Sequence, residues 1–378
     1  MDLRAATTFL VVEASQGERV HGLLTSNKWL EAHVEPLRSE AGKIGFPLVA
    51  QADVQTVGTT TMAELAVAYE FVVLEVAWRD SVDPHHRLTK AVQTWIDAHD
   101  LSLNAGTMVP TKWERLGDLV LLPHEWRHSE AWPVVSQHPE VASLWKAMAE
   151  ALKVTSLGLQ APIANDLFRS SQVEMLLGSS NVEFTDHGLT YAFDAAKVMF
   201  SSGNITERRR IGAMNMRGEV VVDAYAGVGY YTFPMLVHAG AAHVHACEIN
   251  PASIAGLRAG AAANDLVDRL TVHEGDNQVA LLGLKGMVDR CHLGLLPSSE
   301  PVWEPCLLAL KSSGGMLHVH MNVEEEGIEA WTASTVERFE ALVTKHGLGL
   351  TVQAEHLERV KWFAPRVRHV VLDLSLRP

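Results

Sequence analysis

An apolar run, Val220-Val221-Val222, breaks into Asp223-Ala224-Tyr225-Ala226-Gly227-Val228-Gly229-Tyr230, and an acidic residue, Glu248, follows one strand further on. The run suits a parallel strand buried on both faces, while Ala226, Gly227 and Gly229 let the backbone turn sharply and come close to a ligand. Val244-His245-Ala246-Cys247 reads as the next strand. A carboxylate at its end, Glu248, can accept hydrogen bonds from the two hydroxyls of a ribose, as the acidic residue about 20 positions on does in dinucleotide folds. The turn lacks the third glycine of GxGxxG, which lets a helix pack under a pyrophosphate. That argues against NAD and for a nucleoside cofactor without a diphosphate, such as S-adenosylmethionine. Taken alone, the two glycines fit an ordinary buried strand and turn equally well.

These residues need a sheet to hold them. From Gly218 the expected elements alternate: strand Glu219–Ala224, helix Tyr231–His238, strand Val244–Glu248, helix Pro251–Asn264, strand Leu270–His273 and helix Asn277–Leu284. Strand Cys291–Leu295, a helix around Val302–Leu310, strand Met316–His320, a helix near Ser334–His346 and two closing strands, Thr351–Val360 and Val367–Leu376, complete the run. Alternation at this spacing predicts a doubly wound, mostly parallel α/β sheet, and the short link between the last two runs lets them pair antiparallel. Ligands of such sheets lie beyond the carboxyl ends of the strands. That gathers Asp223 to Tyr230, Glu248, Asp276-Asn277 and Leu295 to Ser299 into one crevice.

Ahead of this sheet, residues 1–105 alternate short apolar runs with helix-like stretches and read as an accessory α/β domain. Residues 106–192 form a second region that closes on Asp186-His187-Gly188, the turn of an expected hairpin, and residues 193–378 carry the sheet. With 378 residues, 47% of them hydrophobic, the chain can bury a large core. No apolar segment has the length of a membrane span and no signal peptide is evident, so a soluble, cytoplasmic protein is expected. Cys247, Cys291 and Cys306 have no CxxC spacing and read as core. The histidine pairs His243/His245 and His318/His320 sit at strand spacing without a further ligand, so no metal is expected.

A net charge of −14 opposes nonspecific nucleic-acid binding over the whole surface. It leaves room for two local basic stretches, Arg208-Arg209-Arg210 with Arg217, and Arg359, Lys361, Arg366 and Arg368. Each alone is as well explained by a solvated face.

From about Val109 onward the chain resembles the tRNA wybutosine-synthesising protein 2 family, which is related to the tRNA guanine-37 methyltransferases. The resemblance rests on Phe193-Asp194-Ala195-Ala196-Lys197-Val198-Met199-Phe200-Ser201-Ser202-Gly203-Asn204-Ile205-Thr206-Glu207-Arg208, the Asp223–Tyr230 turn, and His245-Ala246-Cys247-Glu248-Ile249-Asn250-Pro251. Gly275-Asp276-Asn277, Leu293-Gly294-Leu295-Leu296-Pro297-Ser298-Ser299-Glu300, and Lys361-Trp362-Phe363-Ala364-Pro365 followed by His369 extend it. Trp113 to Leu122 matches the family's linker motif.

The resemblance implies a Rossmann-like class I methyltransferase sheet, S-adenosylmethionine as cofactor, and tRNA-Phe as partner. The implied reaction moves the 3-amino-3-carboxypropyl group to carbon 7 of 4-demethylwyosine at position 37, releasing methylthioadenosine. It implies cofactor contacts from Ser201, Arg208, Asp223, Tyr225, Gly227, Glu248, Asp276 and Asn277, with Arg208 gripping the methionine carboxylate. Substrate contacts are expected from Leu295, Pro297 and Ser298 in the loop, and from Arg209, Arg210, Arg366 and Arg368 on phosphates. Tyr225, Tyr230, Phe200 and Trp362 are candidates to stack an extruded base. The methyltransferase relatives carry an arginine where Gly203 stands and an Asn-Leu-Pro or Asn-Pro-Pro loop where Gly294-Leu295-Leu296-Pro297 stands. Guanine methylation is therefore the weaker alternative, beside a noncatalytic RNA-binding protein on the same fold.

Overall fold

The structure is a computed structural model and describes residues 4–31, 33–38, 42–77, 83–162, 168, 170–200 and 202–378. The chain divides into two compact units, Met1–Val109 and Pro110–Pro378.

In the first unit, strands Leu37–Arg38, Lys43–Pro47, Arg4–Glu13 and Glu70–Ala77 lie side by side in that order, each antiparallel to its neighbour. Helices Gly17–Ser26 and Val54–Leu65 contribute Val20, Leu24 and Val57 to a core with Leu10, Val12 and Phe46. The second helix begins where Asp53 accepts the Thr56 N–H at 2.9 Å, the acidic N-cap that such helices favour.

The second unit carries a small sheet of strands Glu114–Leu116, Leu119–Leu122, Ser156–Leu159 and Glu174–Leu177, backed by helix Val141–Leu152. A hairpin follows, Asn181–Asp186 against Leu189–Asp194. His187 and Gly188 form its two-residue loop at φ 50° and 76°, the left-handed pair that a tight hairpin turn demands.

The hairpin packs on the main sheet's side of the unit, and the expected boundary after residue 192 falls inside its second strand. Asn264 holds it there, accepting the Thr190 N–H at 2.9 Å and donating to the Thr190 carbonyl at 2.7 Å.

The main sheet has seven strands: β1 (Val220–Asp223), β2 (His243–Glu248), β3 (Leu270–Glu274), β4 (Arg290–Leu293), β5 (Gly315–Glu324), β6 (Thr351–Ala364) and β7 (Val367–Arg377). Their order is β3-β2-β1-β4-β5-β7-β6, with β7 antiparallel to both neighbours and the remaining pairs parallel. This is the doubly wound sheet with an antiparallel finish that the sequence predicts. Helices α1 (Ile205–Gly212), α2 (Thr232–Val237), α3 (Pro251–Ala263), α4 (Asn277–Leu282), α5 (Trp303–Ala309) and α6 (Ile328–Lys345) complete it.

Successive residues of β1 face opposite layers. Val221 packs with Ile211, Phe233 and Leu257 on one side, and Val222 with Leu281, Trp303 and Cys306 on the other. Two-sided burial is why the strand is wholly apolar up to Asp223. β1 lies between β2 and β4, so the chain reverses its winding there and the crevice opens at the Asp223 end. Helix α6 starts at Ile328, ahead of the expected Ser334, because β5 runs to Glu324 and a short acidic turn feeds straight into the helix.

Candidate cofactor and substrate site

At the end of β1 the backbone turns over Gly227, φ 56°, and Gly229, φ 98°, conformations that cost a side-chain-bearing residue strain. A Cβ at Gly227 would strike the Tyr230 ring and one at Gly229 the Phe233 ring, so the turn is tight on both counts. Glu248 braces it. Its Oε2 accepts the Gly227 N–H at 2.7 Å, and its Oε1 accepts the N–H groups of Ile249 and Asn250 at 2.9 and 2.8 Å. Burial pushes the carboxyl above its ordinary range, against the pull of these three backbone donors. A carboxylate offers about four acceptor positions, so one on Oε2 remains for a hydroxyl. The expected double contact to a ribose is thus reduced to a single one while the turn keeps this form.

Asp223 is fully buried, with the Thr232 hydroxyl donating to it at 2.7 Å and the Tyr225 N–H at 3.4 Å. It ties the strand to the start of α2. Asn277 donates to the Ala224 carbonyl at 2.9 Å and lies against the Tyr225 hydroxyl, whose ionisation burial pushes up to about 12. Asp276 is exposed and caps α4, accepting the Gln278 N–H at 2.9 Å. These five expected contacts, with Gly227, converge at the carboxyl ends of β1, β2 and β3.

Arg208, on α1, is 4% exposed; it donates to Asp186 at 2.8 Å and its guanidinium lies 5.1 Å from the centre of the Phe200 ring. Ser201 lies outside the described residues. After β4, Leu295 and Ser298 are half-buried and Pro297 exposed, and the loop is pinned where the Asn322 N–H donates to the Pro297 carbonyl at 2.9 Å.

Two arginines do not stand as expected. Arg210 is drawn into the protein, forked onto Glu207 at 2.7 and 2.8 Å and onto Asp373 at 2.6 Å, with Glu207 itself wholly buried. It is an internal brace, with four of its five N–H donors committed to Glu207 and Asp373. Arg368 donates to Glu325 at 2.6 Å and its guanidinium sits 3.6 Å over the Trp362 ring. Arg209 and Arg366 are exposed, with no acidic partner among the described residues.

Of the aromatic candidates, Phe200 is packed within Phe193, Tyr191 and Phe184, and Tyr230 is enclosed with its hydroxyl donating to the Met199 carbonyl. Trp362 is 53% exposed, and so is Phe363, which the sequence reading passed over.

A cavity of about 380 Å³ adjoins Met199 and Phe200, bounded also by Glu114, His124 and Gln160. A larger hollow between α6 and β6, about 620 Å³, is lined by none of the residues of the β1 turn and does not include Glu248. The three cysteines are buried and free. Among the described residues no cluster of acidic, histidine or cysteine side chains could hold a metal, and no helix is long and apolar enough to cross a membrane.

The sequence reading missed a line of buried histidines, His292, His320 and His369 on β4, β5 and β7. They are far apart in the chain, and only the strand order joins them.

Residues 182–351 match the TRM5/TYW2 methyltransferase domain family, and residues 98–181 the TYW2 N-terminal domain family. A zebrafish (Danio rerio) tRNA wybutosine-synthesizing protein 2 homolog is 37% identical over 329 residues, covering 78% of this chain and 79% of that protein. A rice (Oryza sativa) tRNA wybutosine-synthesizing protein 2/3/4 is 38% identical over 303 residues, covering 80% of this chain. The match spans only 28% of that longer rice protein. The crystal structure of Pyrococcus horikoshii TYW2 in complex with MeSAdo superposes with a TM-score of 0.60 at 25% identity, covering 76% of this chain and 99% of that one.

Proposed function

The chain belongs to the tRNA wybutosine-synthesizing protein 2 family, and on that premise we propose that it binds S-adenosylmethionine and modifies tRNA. The proposed reaction moves the 3-amino-3-carboxypropyl group to carbon 7 of 4-demethylwyosine at position 37 of tRNA-Phe, with methylthioadenosine as by-product. The observation that carries the reading is the zebrafish match, which runs across most of both chains, together with the Gly227–Glu248 cradle that this chain builds.

The residues fit such a cofactor. The turn leaves no side chain between backbone and ligand, Glu248 keeps one acceptor position on Oε2, and Tyr225 with Asn277 supplies a polar wall beside it. A bound sulfonium activates all three carbons attached to sulfur, so the group transferred is decided by which carbon lies in line with the acceptor. What the protein supplies is orientation and the exclusion of water. Arg208 is buried at the edge of the turn and is assigned to hold the carboxylate end in place. Its pairing with Asp186 fixes the guanidinium before any ligand arrives. Gly203 stands where methyltransferase relatives carry an arginine, and the Lys361 amine fills the space beside it, which favours the aminocarboxypropyl reading over guanine methylation.

Residues 106–192 are assigned to the tRNA body, with Arg209 and Arg366 on phosphates and Trp362 on an extruded base. We place the protein in the cytoplasm. The test is acceptor choice: tRNA-Phe bearing the tricyclic precursor should be converted, and the same tRNA with plain guanine at position 37 should stay unmodified. Conversion of the guanine substrate alone would overturn the reading.

A further inference from the structure

We propose that Lys361, backed by the buried line His369–His320–His292 and closed by Asp223, accepts the proton that the target carbon gives up during transfer. The inference rests on the reaction assigned under Proposed function. In that reaction a carbon–carbon bond forms at the acceptor carbon while the carbon–sulfur bond breaks, its electron pair going to sulfur. The electron pair of the acceptor C–H bond returns to the ring and the proton leaves. The positive charge of the sulfonium thus departs as a proton, and a group must receive it.

Lys361 stands at the right place. A Cβ at Gly203 would lie 2.8 Å from its Nζ, so the amine occupies the space that an arginine side chain would enter from that position. Among the described residues Lys361 has no hydrogen-bond or carboxylate partner. Burial and the neighbouring Arg208 guanidinium push it below the ordinary lysine range, which suits an amine that takes up a proton. On β7, His369 is directly opposite Lys361, and residues so paired project to the same face.

Behind His369 the line has a direction. Its Nε2 lies 3.0 Å from His320 Nδ1, and His320 Nε2 lies 3.0 Å from His292 Nε2. The remaining nitrogens, His369 Nδ1 and His292 Nδ1, are buried without hydrogen-bond partners, and His292 Nδ1 faces Asp223 Oδ1 at 3.7 Å. With one proton on each ring, only two arrangements satisfy both contacts. The carboxylate favours the one with N–H on His292 Nδ1, which puts the protons of His320 and His369 on Nε2 and leaves His369 Nδ1 bare. A proton handed to that nitrogen shifts each partner in turn and ends as an imidazolium at His292 against the Asp223 carboxylate. It returns by the reverse shift once product has left. His320 is also faced by His318 on its own strand, Arg210 on α1 and the Tyr231 ring, and burial holds His320 and His369 uncharged at rest.

The full-length protein with Lys361→Met or His320→Gln should lose single-turnover transfer by about 100-fold or more. Cofactor affinity should stay within twofold, and the parent's rate should rise with pH, a rise that should disappear in Lys361→Met. A rate within twofold of the parent in both variants, or a slower rate with an unchanged pH profile, would overturn the proposal. A nitrogen NMR spectrum of histidine-labelled parent protein gives a reading that needs no turnover. His369 should carry its proton on Nε2, and a proton on Nδ1 would refute the line even if His320→Gln fails to fold. A parent that makes no methylthioadenosine would instead sink the assigned reaction, which the NMR result leaves untouched.

Discussion

Because Glu248 accepts three backbone N–H groups in the free protein, its replacement removes the brace of the turn together with the proposed ribose contact. Glu248→Ala should therefore weaken cofactor binding by about 2 kcal/mol or more. Glu248→Gln, which keeps one acceptor oxygen, should lose less. Calorimetry on the two variants separates contact from brace, and an Ala variant with parental affinity would remove Glu248 from the site. Arg208 makes the opposite forecast. If it sets the pose of the methionine end, Arg208→Ala should cut the transfer rate far more than it cuts affinity for adenosine, since alignment is felt in the transition state. Equal losses would make Arg208 a structural partner of Asp186 and nothing more.

At the scale of elements, the basic stretches sort by what packs against them. Removing the charges of Arg209 and Arg366 together should lower the salt slope of tRNA binding by about 1 to 2 and leave cofactor affinity intact. An unchanged slope would mean that neither touches phosphate. Arg210→Ala should act on stability instead, costing about 3 kcal/mol or more, because it strands Glu207 in the interior and leaves Asp373 with His318 alone. A melting temperature equal to the parent's would contradict the internal brace. Nothing in Arg208-Arg209-Arg210 tells these roles apart in the sequence. Three adjacent arginines on one helix face three directions, and their partners come from distant strands, the hairpin's Asp186 for Arg208 and Asp373 of β7 for Arg210. The β1 turn and Glu248 were legible because their spacing is local to one strand–turn–strand unit. The histidine line was not, since His292, His320 and His369 become neighbours only through the order β4-β5-β7.

For the whole molecule, the polar layer between α1 and the sheet sets the response to acid. Burial pushes His318 and His369 down to about 4 in the fold, against an ordinary value of 6.5. The unfolded chain takes up protons that the fold refuses, so stability held above pH 6.5 is lost as the pH falls toward 4. Asp373, held below the carboxylate range by His318 and Arg210 despite its burial, adds a loss at still lower pH. Thermal melts should show a falling midpoint from pH 7 to pH 4, and a flat profile over that range would contradict the buried, uncharged histidines. The products of one incubation decide which group leaves the cofactor. Full-length protein is incubated with S-adenosylmethionine carrying separate labels in its methyl and aminocarboxypropyl groups, and with tRNA-Phe bearing the tricyclic precursor. Chromatography should find methylthioadenosine in the solution and the aminocarboxypropyl label in the tRNA; adenosylhomocysteine with methyl label in the tRNA would show that the fold is right and the reaction wrong.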